Sequence, residues 1–355
     1  MDIVTHGLAS LTIARGFFPR AGKLAMATAV LAGTIADVDW LSIYFGPSAF
    51  LTWHRTYTHS IVVSILTSMC VAILVARLLR RSMPARQVGP VGGGALTDVP
   101  SKGAWAINLS VPLYVSLCAA LLHIAMDACQ SEDVRLLWPF SSKRFASDWL
   151  PGIDPWILTI LIACIALPEL LHLVSSEIGA KAKKPRGQTG AIIGLALVLV
   201  YVGVRGTLHS NAIALMQSRT FHGETPRRAS AFPESLSPLR WHGVVETESA
   251  LNEIDVDAVS PDTFDTDSSL TQFKPEPSPA LDTARNTVTA RRFLATAQIP
   301  KASMEKTEAG YVVVLRDLRY AASGETQHEI AAVIELDPNN KVTSQELVWA
   351  RDLHR

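Results

Sequence analysis

Five stretches of this 355-residue chain are apolar for about the thickness of a bilayer, and that limits its fold more than any other feature. A helix needs about 20 mostly apolar residues to cross the hydrocarbon core. Residues 24–44, 60–79, 107–127, 155–175 and 189–209 reach or nearly reach that length. A sixth stretch, 3–18, would extend only about 24 Å at about 1.5 Å per residue. Pro19 and Gly22 separate it from the next, so 3–44 reads as a helical hairpin. The expected fold is an all-α transmembrane bundle of about five or six helices over residues 1–210. A linker at 211–237 and an extramembrane α+β or mostly β domain at 238–355 should follow.

Hydrophobic residues make up 48% of the chain and charged residues 18%, and the two are unevenly spread. The first 210 residues are largely apolar, whereas most acidic residues and many prolines come later. Net charge is zero and no basic stripe is visible, so nucleic acid is not an expected partner. The opening Met1-Asp2, with Arg15 as first positive charge, lacks the basic start of a cleaved signal peptide. In the second half, YVVVLRDLRY (311–320), EIAAVIELD (329–337) and VTSQELVWA (342–350) suit a three-strand meander. Turns are expected at Ser323-Gly324 and Pro338-Asn339-Asn340. Residues 285–298 suit a helix, 260–283 reads as loop, and Gly/Pro-rich 82–104 reads as a flexible connector.

Short loops rich in Lys and Arg stay in the cytoplasm. If every segment spans, one side carries twelve such residues: Arg15, Arg20, Lys23, Arg77, Arg80, Arg81, Arg86, Lys102, Lys181, Lys183, Lys184 and Arg186. The other carries Arg55, Arg135, Lys143 and Arg144. His6, Asp39, His54, His59 and Asp127 then fall together on the four-residue, extracytoplasmic side, where the second domain also emerges.

That convergence matters because imidazole and carboxylate are ligands of zinc, manganese and iron. Ionisable groups at membrane depth are costly and usually functional. His123 and Asp127 stand at i and i+4, on one helical face. In HRTYTHS, His54 and His59 would point about 140° apart on a helix, so His54 fits better in a loop and His59 at a helix start. Asp37 and Asp39 lie about 200° apart if helical. One should be a direct ligand, Asp39 slightly preferred, and the other an outer or bridging carboxylate; capping alone would also explain either. His6 gains meaning only beside the rest. The tryptophans of RLLWPFSSKRFASDWLPGID (135–154) and Trp156 suit an interfacial belt. Arg135, Arg144, Asp148 and Asp154 could line the site, whereas Glu169 and His172 lie near the opposite face.

THGL, DVD after an apolar helix, HRTYTHS, HIAMDA and RLLWPFS…RFASDW together resemble the membrane-bound metal-dependent hydrolases of the YdjM-like family, over about residues 1–175. PLRWHGVVET (238–247) and the meander resemble the extension of longer members. Where that family usually shows PDxD, this chain has Ala36-Asp37-Val38-Asp39, keeping both carboxylates. The helical core is distantly similar to zinc-dependent phospholipase C and its related nucleases. The resemblance implies a multi-pass protein of the bacterial inner membrane and metal-activated water attacking an ester or phosphoester. The expected ligands are His6, Asp39, His54, His59, His123 and Asp127, with Asp37, Asp39 and Arg55 as catalytic groups. One to three divalent ions are expected, zinc first, with manganese or iron compatible. Membrane lipid and a small-molecule or lipid substrate are the expected partners. A metal transporter or sensor, or a structural anchor for the second domain, would share most of these features. Ligands at helix ends rather than at the midplane favour chemistry over transport.

Overall fold

The computed structural model describes residues 1–82, 109–177, 187–260, 262, 264–320 and 328–353. All but the first residue of the expected connector at 82–104, and the Ser323-Gly324 turn, lie outside them. The chain begins with α1 (Ile3–Phe17), α2 (Gly22–Thr34) and a 3₁₀ segment, Ile35–Phe45. Short α3 (Pro47–Trp53) and long α4 (Ile61–Ser82), α5 (Ser110–Ala128), α6 (Pro155–Glu177) and α7 (Gln188–Gln217) follow. Among the described residues, four stretches are long and apolar enough to cross a membrane: Pro19–Phe45, Ile61–Leu78, Ser110–Ala128 and Gln188–Gln217. Pro155–Leu171 is a shorter apolar helix, and α1 has only 15 residues.

Small residues let these helices approach, which is how helices associate in lipid. Ala14, Ala25, Ala29 and Ala32 form one buried seam with Val71, Val75, Val115 and Ala119. A Cβ on Gly33 would lie 1.8 Å from Ser10 Oγ, so α1 and α2 could not close with any other residue there. Hydroxyls inside the bundle donate to carbonyls one turn back, as Thr12 does to Leu8, Thr28 to Leu24 and Ser116 to Pro112. Outer faces, including Leu66, Leu74, Leu170, Leu199 and Val200, are exposed and apolar, as lipid contact requires.

At about 1.5 Å per residue, the 30 residues of α7 outreach the hydrocarbon core. Its last turns leave the bundle and pack Ala212 and Met216 against Trp241, Val245 and Ile254. The stretch 211–237, read as a linker, therefore holds the end of α7 and a strand, because an apolar sheet face takes up the helix directly. That strand, β1 (Arg228–Pro233), forms an antiparallel sheet with β2 (Arg240–Glu246), β3 (Ala250–Asp257) and β4 (Leu270–Phe273) in sequence order. The region read as loop, 260–283, contains β4 and most of α8 (Pro279–Arg285).

The second unit packs α8 and α9 (Val288–Leu294) on the antiparallel sheet β5 (Pro300–Thr307), β6 (Gly310–Asp317), β7 (Ile330–Leu336) and β8 (Val342–Trp349). The expected meander is β6–β8. The expected helix at 285–298 is two, because Asn286 closes α8 and the Thr287 side chain caps α9 by accepting from Ala290 N. Leu281, Phe293, Val313, Leu315 and Ile334 fill the core of this unit, and Phe50 of α3 is buried among them. The helix leading into HRTYTHS is thus anchored in the extramembrane domain.

Candidate metal centre

Four separate pieces of chain meet at one end of the bundle. α1 supplies His6, the 3₁₀ segment supplies Asp37 and Asp39, the α3–α4 loop supplies His54, Arg55 and His59, and α5 supplies His123 and Asp127. Asp127 then opens a polar run, Gln130 and Glu132, that faces the same space. His6, His59, His123 and Asp127 are each at most 2% exposed.

One ligand atom from each of His6, Asp37, His123 and Asp127 lies within 4.8 Å of the other three, and this group could hold a metal ion. His123 and Asp127 meet along their helical face, Nε2 to Oδ2 at 3.3 Å. His59 Nε2 is 3.1 Å from the same Oδ2 and 3.6 Å from Asp37 Oδ1. His6 approaches from the other side, with Nε2 3.1 Å from Asp127 Oδ1. The Met1 amino group also reaches Asp127, and Gln130 Oε1 at 2.7 Å.

The hydrogen bonds around the group fix which nitrogen faces inward. His123 Nδ1 donates to the carbonyl of Gly33 at 2.8 Å. His59 Nδ1 lies 3.1 Å from Asp39 Oδ2, a carboxylate that only accepts. In each neutral ring the inner Nε2 therefore carries a lone pair and points at carboxylate oxygens. Lone pair against carboxylate is repulsive unless a cation lies between them. Consistently, His59 Nε2, His123 Nε2, Asp127 Oδ2 and Asp37 Oδ2 are buried without hydrogen-bond partners among the described residues. Ligands about 2.0–2.1 Å from a tetrahedral zinc stand about 3.3 Å apart, and the inner contacts of 3.1, 3.3 and 3.6 Å bracket that spacing. The donor set fits a transition metal. Burial works against charge on His59, yet the surrounding carboxylates of Asp127, Asp37 and Asp39 push it up to about 10, so without a metal the ring itself carries the positive charge that these oxygens require.

The two aspartates divide by position. At the change from α to 3₁₀ geometry after Thr34, Asp37 turns inward to His59 and His123. Asp39 stays outside, accepting from the Arg55 backbone N–H at 2.9 Å and from Thr58 Oγ1. That is the reverse of the order favoured from sequence. His54 is not in the close group. Its Nδ1 is 3.1 Å from Asp39 Oδ1 and its Nε2 is 3.6 Å from Glu132 Oε2. Such outer carboxylates orient metal-binding imidazoles and raise their basicity.

Arg55 sits beneath His54 in a left-handed backbone conformation, φ 53°. This strained geometry persists only where the surroundings fix it. Its guanidinium meets Gln130 Oε1 at 2.6 Å, Asp127 Oδ1 at 3.4 Å and Glu132 Oε2 at 3.2 Å. Burial would raise the Glu132 carboxyl, but Arg55 and His54 hold it well below its usual range. Gln130 and Glu132 escaped the sequence reading; their signal was the polar run QSED directly after the ligand helix.

His54, Arg55 and Glu132 also floor a cavity of about 70 Å³ roofed by Arg319, Tyr320 and His328 of the second unit. Arg319 Nη1 and Gln298 Nε2 each donate to Ser131 O at 2.9 Å, pinning that unit over the centre. Arg144 joins the cavity wall through Asp133 at 3.0 Å. Asp154 lies elsewhere: it caps α6 by accepting from Trp156 N and Ile157 N, and takes the Tyr201 hydroxyl. Glu169 pairs with Arg15 at 3.2 Å, nine residues along α1 from His6.

Neither curated proteins nor solved structures give a significant match to the chain. The YfhP C-terminal alpha/beta plait domain matches residues 279–354, the α8–β8 unit. The YdjM inner membrane protein family matches residues 1–212, more than half of the chain and every residue of the His/Asp cluster, and the chain belongs to that family.

Proposed function

We propose that the protein is a membrane-bound metal-dependent hydrolase acting on an ester or phosphoester of a lipid-like substrate. One observation carries the reading: buried ligand-type atoms of His59, His123, Asp37 and Asp127, without hydrogen-bond partners, aim at a common space at the rim of an apolar bundle. His6, His59, His123, Asp37 and Asp127 would hold the metal, with Asp39 orienting His59. Asp127 faces His6 through Oδ1 and His59 and His123 through Oδ2, so its carboxylate would be the central ligand of the group. A bound divalent ion, zinc first, would supply Lewis acidity and bring the pKa of water to about 7.

The chain's own groups supply the rest. Arg55, beside Asp127, can offset negative charge developing on a substrate oxygen. His54, held between Asp39 and Glu132 and open to the cavity, can pass a proton to or from a leaving group. Exposed Trp40, Tyr44, Phe45, Trp53 and Phe140 suit a belt at the lipid–water boundary, which favours an amphiphilic substrate. The basic-loop balance supports an extracytoplasmic site. The 70 Å³ cavity has room for about two waters at about 30 Å³ each, so substrate entry requires its roof to yield.

The test is hydrolysis of bis-p-nitrophenyl phosphate, p-nitrophenyl esters and short-chain phospholipids by detergent-purified protein loaded with zinc or manganese. Turnover lost in His59→Ala/Asp127→Ala is expected. Metal binding without turnover of any ester would overturn the hydrolase reading and shift attention to uptake of zinc into proteoliposomes.

A further inference from the structure

Away from the metal centre, the seam between the two sheets encloses a cavity of about 440 Å³, a size usual for small-molecule sites. Four elements send basic side chains to it: Arg228 from β1, Lys274 just after β4, Arg285 at the end of α8, and Lys301 from β5. One carboxylate, Glu246, lines it, and that one is taken by Lys274 Nζ at 2.8 Å. Arg228 spends one donor on the Gln298 carbonyl at 3.2 Å. Among the described residues, no carboxylate pairs with Arg228, Arg285 or Lys301. Arg228 has only a more distant carboxylate, Asp148, within reach of its charge, and the unpaired cations around one cavity repel each other, in a chain whose 32 basic and 32 acidic residues otherwise balance. An anion filling the cavity relieves that repulsion. Guanidinium forks suit phosphate oxygens particularly well. The remaining wall mixes the amides of Gln272 and Gln298 with an apolar part that includes Leu251, Ile299 and the 76% exposed Phe273.

We propose that this seam binds a phosphate-bearing molecule of about nucleotide size, its phosphoryl groups on Arg228, Arg285 and Lys301 and its less polar part against Phe273. The site is independent of the metal centre and of the hydrolase reading. Both sheets contribute to it, so occupancy would clamp them together. The phosphoryl group could belong to a free metabolite or to a lipid headgroup.

Calorimetric titration of the full-length protein in detergent with EDTA separates these cases, using pyrophosphate, ATP and monomeric dihexanoyl phosphatidic acid as probes. Saturable binding is expected for at least one probe, weakened tenfold or more in Arg285→Ala/Lys301→Ala and weakened by added salt. Asp127→Ala, at the metal centre, and Lys341→Ala/Arg351→Ala, outside the cavity, should leave it unchanged. Tighter binding of ATP or pyrophosphate assigns the site to a free molecule, and tighter binding of the phosphatidic acid assigns it to a headgroup. Arg285, Lys341 and Arg351 are exposed, Lys301 is half-buried and Asp127 is fully buried, so thermal melts are run first to show that each variant is folded. No saturable binding of any probe, equal binding in Arg285→Ala/Lys301→Ala, or loss in either control variant would overturn the proposal.

Discussion

Asp39 tests whether the outer shell of the centre does what its geometry implies. Its Oδ2 receives the Arg55 N–H, the Thr58 hydroxyl and the His59 ring, while Oδ1 faces His54 Nδ1. No direct ligand is lost in Asp39→Asn. The new amide can keep its oxygen on Arg55 and Thr58 and turn its NH₂ toward His54, so mainly the charge behind His59 disappears. Asp39→Ala removes every one of these contacts and frees the His59 ring to turn. Loss of such outer partners costs about 10–100-fold in metal affinity. Asp39→Asn should therefore weaken zinc binding about tenfold, or about 1.4 kcal/mol, and Asp39→Ala about a hundredfold. Asp127→Ala, which removes both inner oxygens, should abolish binding. Competition against a fluorescent zinc chelator at pH 7 in detergent measures all three. Affinity unchanged within twofold in both Asp39 variants would refute the orienting role. Loss in Asp39→Ala as complete as in Asp127→Ala would make Asp39 a ligand instead.

Three further outcomes follow from the same structure. Burial pushes Asp148 up to about 6, so the folded state holds this proton more tightly than the unfolded chain and loses stability as pH rises from about 4 to about 6. Asp148→Asn, which tolerates the local φ of 56°, should be more stable by roughly 1–2 kcal/mol above pH 6.5 after allowance for partial exposure. Its melting temperature should match wild type near pH 4, and an equal offset at both pH values would contradict this. Phe50→Ala empties a buried site in the second unit's core and should cost about 3–5 kcal/mol; an unchanged thermal melt would mean that α3 is not docked there. Gly33→Val forces α2 away from Ser10 and with it the carbonyl that holds His123. Zinc affinity should then fall at least tenfold, whereas retained affinity would show that the Gly33 contact does not set the His123 ring.

The parts of this molecule legible from sequence are those governed by local periodicity. Apolar length revealed the bundle, and the i, i+4 spacing put His123 and Asp127 on one face because one helix carries both. Asp37 and Asp39 were harder, since their roles depend on a switch to 3₁₀ winding after Thr34, and the adjacent Gly33 serves close packing against Ser10 rather than announcing that switch. The first sheet was hidden for a different reason. β2 and β3 are buried along nearly every residue, with α7 packed against their sheet and Ile299 and Leu318 of the second unit against Val244 and Leu251. The polar–apolar alternation that marks a half-exposed strand is therefore absent. Arg319 and Gln298 reach Ser131 from 188 and 167 residues away, a relation that only the folded chain reveals.

Elemental analysis of detergent-purified protein, wild type beside His59→Ala/Asp127→Ala, tests the metal centre most directly. One to three transition-metal ions per chain are expected in the wild type and none in the variant. Equally negligible metal in both, even after incubation with zinc or manganese, would contradict the account and leave the buried histidines and aspartates as a network of hydrogen bonds alone.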